Sequence, residues 1–243
     1  MSALLEIDRV GKRFGGLTAL ADVSFQVPEG AIVGVMGANG AGKTTLFSLV
    51  AGNARPSSGD IRFRGRSIVG LTPDRICRLG VARTFQIVKP FPALTVRENL
   101  RTAAMFGHAA LRSAAAADQA TQPVLEEVGL AAVADQPAST LTLSGQKRLE
   151  IARAVATGGR LVMLDEVMAG LTPTEVGQML QTVRGLHERR GLTLLVIEHV
   201  MRALMELCER IVVLHHGQLI AEGTPTEIGR DAQVHGVYFG GSP

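Results

Sequence analysis

Residues 37–45, Gly-Ala-Asn-Gly-Ala-Gly-Lys-Thr-Thr, have the spacing of a loop that cradles phosphate. Glycines at Gly37, Gly40 and Gly42 let successive backbone N–H groups curl toward one anion, with Asn39 and Ala41 between them. Lys43 would bridge β- and γ-phosphates, the Thr44 hydroxyl would ligate Mg²⁺, and the amides through Thr45 would add donors. An apolar run, Ala31 to Met36, leads in, and Thr44 to Ala51 reads as a helix whose positive end faces the same anion. Strand, glycine loop and helix together open an α/β fold.

A second group supplies acid. The run Leu161-Val-Met-Leu164 ends in Asp165 and Glu166. A carboxylate at a strand end would stand in the second shell of a bound Mg²⁺, and its neighbour would be free to polarise water. Many strands end in acids, so the pair gains its meaning from the phosphate loop. A third apolar run, Leu192 to Ile197, is followed by Glu198 and His199.

Continuous apolar runs separated by helical patterns imply a parallel sheet covered on both faces, with ligands at the carboxyl ends of its strands. Alternating patterns over 4–10 and 22–27 predict strands, Pro28-Glu29-Gly30 a turn, and Gly59 to Gly65 an edge strand. The stretch from about Thr95 to Thr157 is Ala-rich and predicts an inserted helical subdomain, with strong helix propensity over Ala109 to Ala120. The expectation is one domain over 1–243, with the helical insertion at about 95–157.

Composition narrows the class. Apolar residues are 46% and charged residues 19%, enough for a buried core; aromatics are 4% with no Trp, so that core must be aliphatic. The net charge of +3 is spread out, and its densest stretch, Arg62-Phe-Arg-Gly-Arg66, reads as an exposed hairpin, so no nucleic-acid partner is expected. Cys77 and Cys208 stand alone, as reduced thiols of a cytosolic protein would, without metal-ligand spacing. The charged N-terminus does not fit a signal peptide, and no run approaches ~18 apolar residues, so any link to a membrane would pass through a partner.

Leu143-Ser-Gly-Gln-Lys-Arg-Leu-Glu-Ile-Ala-Arg-Ala154 looks like the signature motif and helix of the ABC transporter ATPases. With the phosphate loop, Gln86, Asp165-Glu166 and His199, it completes that family's motifs in order, over essentially the whole chain. The resemblance implies a P-loop ATPase fold with a mainly parallel core, an N-terminal antiparallel region and the inserted helical subdomain. It implies ATP and Mg²⁺ as ligands, and two cassettes, self or a related chain, paired head to tail around them. It further implies Glu166 as general base, and His199 as γ-phosphate sensor. Gln86 would sense Mg²⁺ and the attacking water, and Phe14 would stack on adenine; the other reading of Phe14 is a core anchor.

The signature departs from the family pattern. Local identity places it on Leu143-Ser144-Gly145-Gln146, whereas counting back from Leu149 and Ile151 places it on Leu141-Thr142-Leu143-Ser144-Gly145. Either Thr142 or Ser144 could supply its hydroxyl. Met168 to Leu171 occupies the D-loop position, and Val167 stands where the family usually has Pro, so a local backbone change is expected there.

Lys12 to Leu20, and Leu79 to Gln86 leading to Leu94 to Leu100, resemble the importer ATPases for branched-chain amino acids and related hydrophobic or amide solutes. The short tail after Glu222 to Ile228 fits the same group. That implies two transmembrane permease subunits, indirectly a solute-binding protein, and a place on the cytoplasmic face of the membrane. The lipopolysaccharide-export ATPases are similar through Thr224 to Ile228 and Val237-Tyr238, and soluble non-transport ABC ATPases are the alternative of a different class.

Overall fold

In the computed structural model, which describes residues 3–84 and 90–239, the opening alternation makes two long antiparallel strands, β1 (Ala3–Phe14) and β2 (Leu17–Pro28). Leu5 and Val10 from one, and Val23 and Val27 from the other, are fully buried. Both strands outrun the stretches 4–10 and 22–27. Register shifts flank Arg9 (φ 49°) and Asp22 (φ 55°), and such bulges reset the alternation that marks a strand.

The six-residue β3 (Ile32–Gly37) is buried throughout and runs through the glycine loop into α1 (Lys43–Val50). β4 (Ser58–Phe63) pairs with β1, and a two-residue β5 (Arg66–Ser67) pairs with β4. The order β2-β1-β4-β5 corrects the edge-strand expectation for 59–65: the edge belongs to β5. The hairpin over Arg62 to Arg66 is present, turning through Arg64 and Gly65, both at positive φ. Arg62 spends its charge on Asp60 at 2.9 Å, which removes it from any basic patch.

The chain forms two compact units, Met1–Pro73 with Thr193–Pro243, and Asp74–Leu192. The second contains α2 (Pro73–Leu79), β6 (Val81–Arg83), α3 (Val96–Phe106), α4 (Ala114–Glu127), α5 (Leu143–Ala156), β7 (Leu161–Asp165) and α6 (Pro173–Arg190). β6 and β7 are parallel, with Arg83 opposite Met163. The expected helical stretch 95–157 lies inside this unit. Within it, helix propensity over Ala109 to Ala120 is overridden at the start. The amide of Ala109 donates to the Thr157 carbonyl and that of Leu111 to the Ala104 carbonyl, so α4 begins only after the Ser113 cap. Thr95 with Glu98, and Thr172 with Glu175, close capping boxes on α3 and α6.

Returning to the first unit, the chain adds β8 (Thr193–Ile197), α7 (Met201–Leu207), β9 (Arg210–His215), β10 (Gln218–Gly223), α8 (Pro225–Ile228) and α9 (Ala232–Phe239). β8 and β9 flank β3, both parallel to it, and β10 folds back antiparallel on β9. α7 packs tightly on the sheet at Gly34, where a Cβ would lie 2.9 Å from Cys208 Sγ. The class is therefore the expected one, α/β with parallel core strands, an N-terminal antiparallel sheet and an inserted helical segment. No helix among the described residues is long and apolar enough to cross a membrane.

Candidate active site

In the first unit the phosphate loop leaves the carboxyl end of β3. Ala38, Asn39 and Gly40 are exposed, while Ala41 is buried and its carbonyl accepts from the Gly217 amide at 3.1 Å. Gly42 caps α1 at φ 104°, with no side-chain hydrogen bond to the helix start. No side chain caps the first turn of α1, and the helix dipole points its positive end toward the loop. Only glycine fits the turn: a Cβ on Gly42 would meet Leu20 Cδ2 at 2.6 Å and the Ala19 carbonyl at 2.7 Å. Lys43 is 5% exposed, and its ammonium folds back to donate to the carbonyls of Gly37 at 2.6 Å and Ala38 at 3.1 Å. Thr44 is exposed and Thr45 half-buried.

Two further groups belong to this unit. Phe14 is 52% exposed at the β1–β2 turn, with the Lys12 ammonium 4.7 Å from its ring centroid. A core anchor would be buried, so that reading fails. His199 lies two residues beyond β8, which runs beside β3 with Ile197 opposite Val35. It is exposed and leaves the sheet at the same carboxyl edge as the phosphate loop.

In the second unit Asp165 is fully buried at the end of β7. The Arg83 guanidinium donates to its Oδ2 at 2.6 Å, and its own amide donates to the Thr84 hydroxyl at 2.9 Å. Oδ1 has no hydrogen-bond partner among the described residues. A buried carboxylate oxygen without a donor is costly, and a water bound to Mg²⁺ would satisfy it. Asp165 therefore fits an outer-shell role for Mg²⁺. Glu166, 6% exposed, adopts φ 52°, immediately before Val167. Its carbonyl accepts from the Ala169 amide at 3.2 Å and the Lys147 ammonium at 3.0 Å.

The two candidate hydroxyls of the signature lie at the start of α5. α5 begins at Leu143 with Thr142 as N-cap, whose hydroxyl accepts from the Gly145 amide at 3.3 Å. Thr142 is exposed and Ser144 buried. Gln146 turns away, donating to the Leu141 carbonyl at 3.0 Å. Gln86 lies outside the described residues. Sequence reasoning missed Arg83, Thr84 and Lys147, which nothing local in the sequence singles out.

The family model for "ABC transporter" matches residues 20–169. The chain is 39% identical to the high-affinity branched-chain amino acid transport ATP-binding protein BraF of Pseudomonas aeruginosa, covering 98% of each chain. It is 34% identical to the lipopolysaccharide export system ATP-binding protein LptB of Acidithiobacillus ferridurans, covering 99% of this chain and 98% of that one. A solved ATP-binding cassette of an ABC transporter, in its ADP conformation, superposes with a TM-score of 0.89 at 27% identity, covering 99% of this chain and 100% of the other.

Proposed function

The chain belongs to the ABC transporter family, and from that premise we propose that it binds and hydrolyses ATP to power an importer of branched-chain amino acids or related hydrophobic or amide solutes. The observation that carries ATP binding is the glycine turn at Gly42 leading into the start of α1, which no side chain caps and whose dipole suits an anion.

Phosphates would seat on the amides of Gly40 to Thr45, with the Lys43 ammonium exchanging the carbonyls of Gly37 and Ala38 for phosphate oxygens. The exposed face of Phe14 suits adenine. Thr44, Gln86 and, through water, Asp165 would hold Mg²⁺, which when bound neutralises charge on the β- and γ-oxygens. Glu166 would accept a proton from the attacking water while His199 orients that water against the γ-phosphate. The bond from γ-phosphorus to the bridging oxygen breaks as the water oxygen attaches, leaving ADP and phosphate.

A second cassette, related or identical, would complete each site with its signature helix; from this chain, Thr142 and the start of α5 are what it would offer in return. Two permease subunits, with a solute-binding protein beyond them, would receive the stroke at the cytoplasmic face of the membrane.

A tagged pull-down from solubilised native membranes, read by mass spectrometry, tests the assignment. Two polytopic permease subunits are expected. Lipid-export membrane components would move the chain to that rival role, and a complex without membrane proteins would overturn transport altogether.

A further inference from the structure

We propose that Lys147 is a positioning residue for hydrolysis, holding the Glu166 peptide in the left-handed conformation that aims its carboxylate. The inference rests on the reading of Glu166 as general base.

Lys147 is 4% exposed, and its one hydrogen bond among the described residues runs from the ammonium to the Glu166 carbonyl at 3.0 Å. Lysine is rarely buried, because its long stem lets the charge reach water while the methylenes pack. A residue needed only for packing here would match the buried Leu149, Ile151 and Ala152 of the same helix. The ammonium is instead spent on one peptide.

That peptide needs a restraint. Glu166 has φ 52°, a region that disfavours side chains with a Cβ. Val167 adds no proline ring to stiffen the link. The Ala169 amide binds the same carbonyl at 3.2 Å, so its two lone pairs are fixed from two directions, one by the turn and one by α5. Rotating the peptide to relax φ would break both bonds. Because the side chain leaves from the same Cα, the orientation of the carboxylate follows that of the carbonyl. Lys147 also ties α5, whose start would face the neighbouring nucleotide, to the base acting on this chain's own.

The test uses the purified full-length chain, with turnover, fluorescent-ATP affinity and the thermal midpoint measured for each variant. Lys147→Met is expected to lower kcat about tenfold while ATP affinity stays within about twofold of wild type. Lys147→Arg, which keeps a donor, should recover most of the loss. On a Glu166→Gln background, adding Lys147→Met should leave the residual turnover unchanged. Wild-type turnover in Lys147→Met, parallel losses of kcat and affinity, or a further loss on the Glu166→Gln background would each overturn the role. If the Met variant aggregates, Lys147→Gln decides: its shorter reach should lower kcat alone, and wild-type turnover overturns the idea. Glu166→Gln by itself separates the two readings. If it turns over normally, the general-base reading falls and Lys147's role with it; if it is inactive while Lys147→Met is not, only the positioning role falls.

Discussion

Around the phosphate loop, the groups that would meet ATP are mostly backbone amides, placed by glycines whose Cβ atoms would collide with Leu20, Ala19 and Leu214. Around Asp165 and Glu166 they are side chains, placed by other side chains: Arg83 and Thr84 on one, Lys147 on the other. The first arrangement is local, since nine consecutive residues carry most of it. The second draws residues from β6, β7 and α5, far apart in the chain. A backbone cradle tolerates loss of a side chain with its shape kept, whereas a cradle of mutually bonded buried charges fails when any member goes.

Arg83→Met gives the largest expected effect, because it strands the fully buried Asp165 carboxylate. Breaking such a pair costs about 3–5 kcal/mol, to be read from urea unfolding of the purified chain. The double variant Arg83→Met with Asp165→Leu should recover most of that stability while remaining inactive. A single variant as stable as wild type would erase the contrast between the two regions.

Lys43→Ala sharpens the contrast from the other side. Fluorescent-ATP affinity should fall about 10²-fold through loss of a charge-assisted phosphate contact. Stability should change by no more than about 1 kcal/mol, since glycine geometry, not the lysine, shapes the loop. A variant that unfolds well below the temperature of nucleotide-free wild type would sink the claim.

The same contrast explains what could be read from sequence. The phosphate loop, β3 and α1 were legible because spacing and local conformation are one thing there. The strands ending at Asp165 and Ile197 were legible because buried parallel strands read as apolar runs. Arg83 and Lys147 were not, because nothing local distinguishes an arginine or lysine that finds a distant partner from one that faces solvent. The start of α4 failed for a similar reason, its first amides being taken by carbonyls at 104 and 157. The signature lay between these cases. Both registers satisfy the residue types, and what the fold adds is that Thr142 caps α5.

That cap yields a smaller prediction. Thr142→Ala should cost about 1 kcal/mol of stability, and Thr142→Ser little. In the assembled transporter, Thr142→Ala should also slow turnover several-fold, while Ser144→Ala, at a buried position, should not. The reverse pattern would return the signature to the register starting at Leu143.

The smallest effect is the response to acid, and it again divides the two regions. No carboxylate lies within residues 37–45, so protonation leaves the phosphate loop's own bonds alone. The second unit instead relies on Glu98 and Glu175, each held below the usual carboxylate range first by the backbone amide, then by the hydroxyl, of its capping threonine. Asp135 is lowered there too, by its hydrogen bond from Arg97. For groups whose folded pKa is depressed, the stabilisation is complete above the unfolded value and is lost as pH falls through the folded one. Acid should therefore loosen the starts of α3 and α6, below the ordinary value of 4.5, before it loosens α1. Hydrogen exchange across that window reads the order directly, and Glu175→Gln should flatten the acid response of α6 while leaving α1 as it was. Simultaneous loss of protection in α1 and α6 would mean that the two regions do not differ in the way their bonding implies.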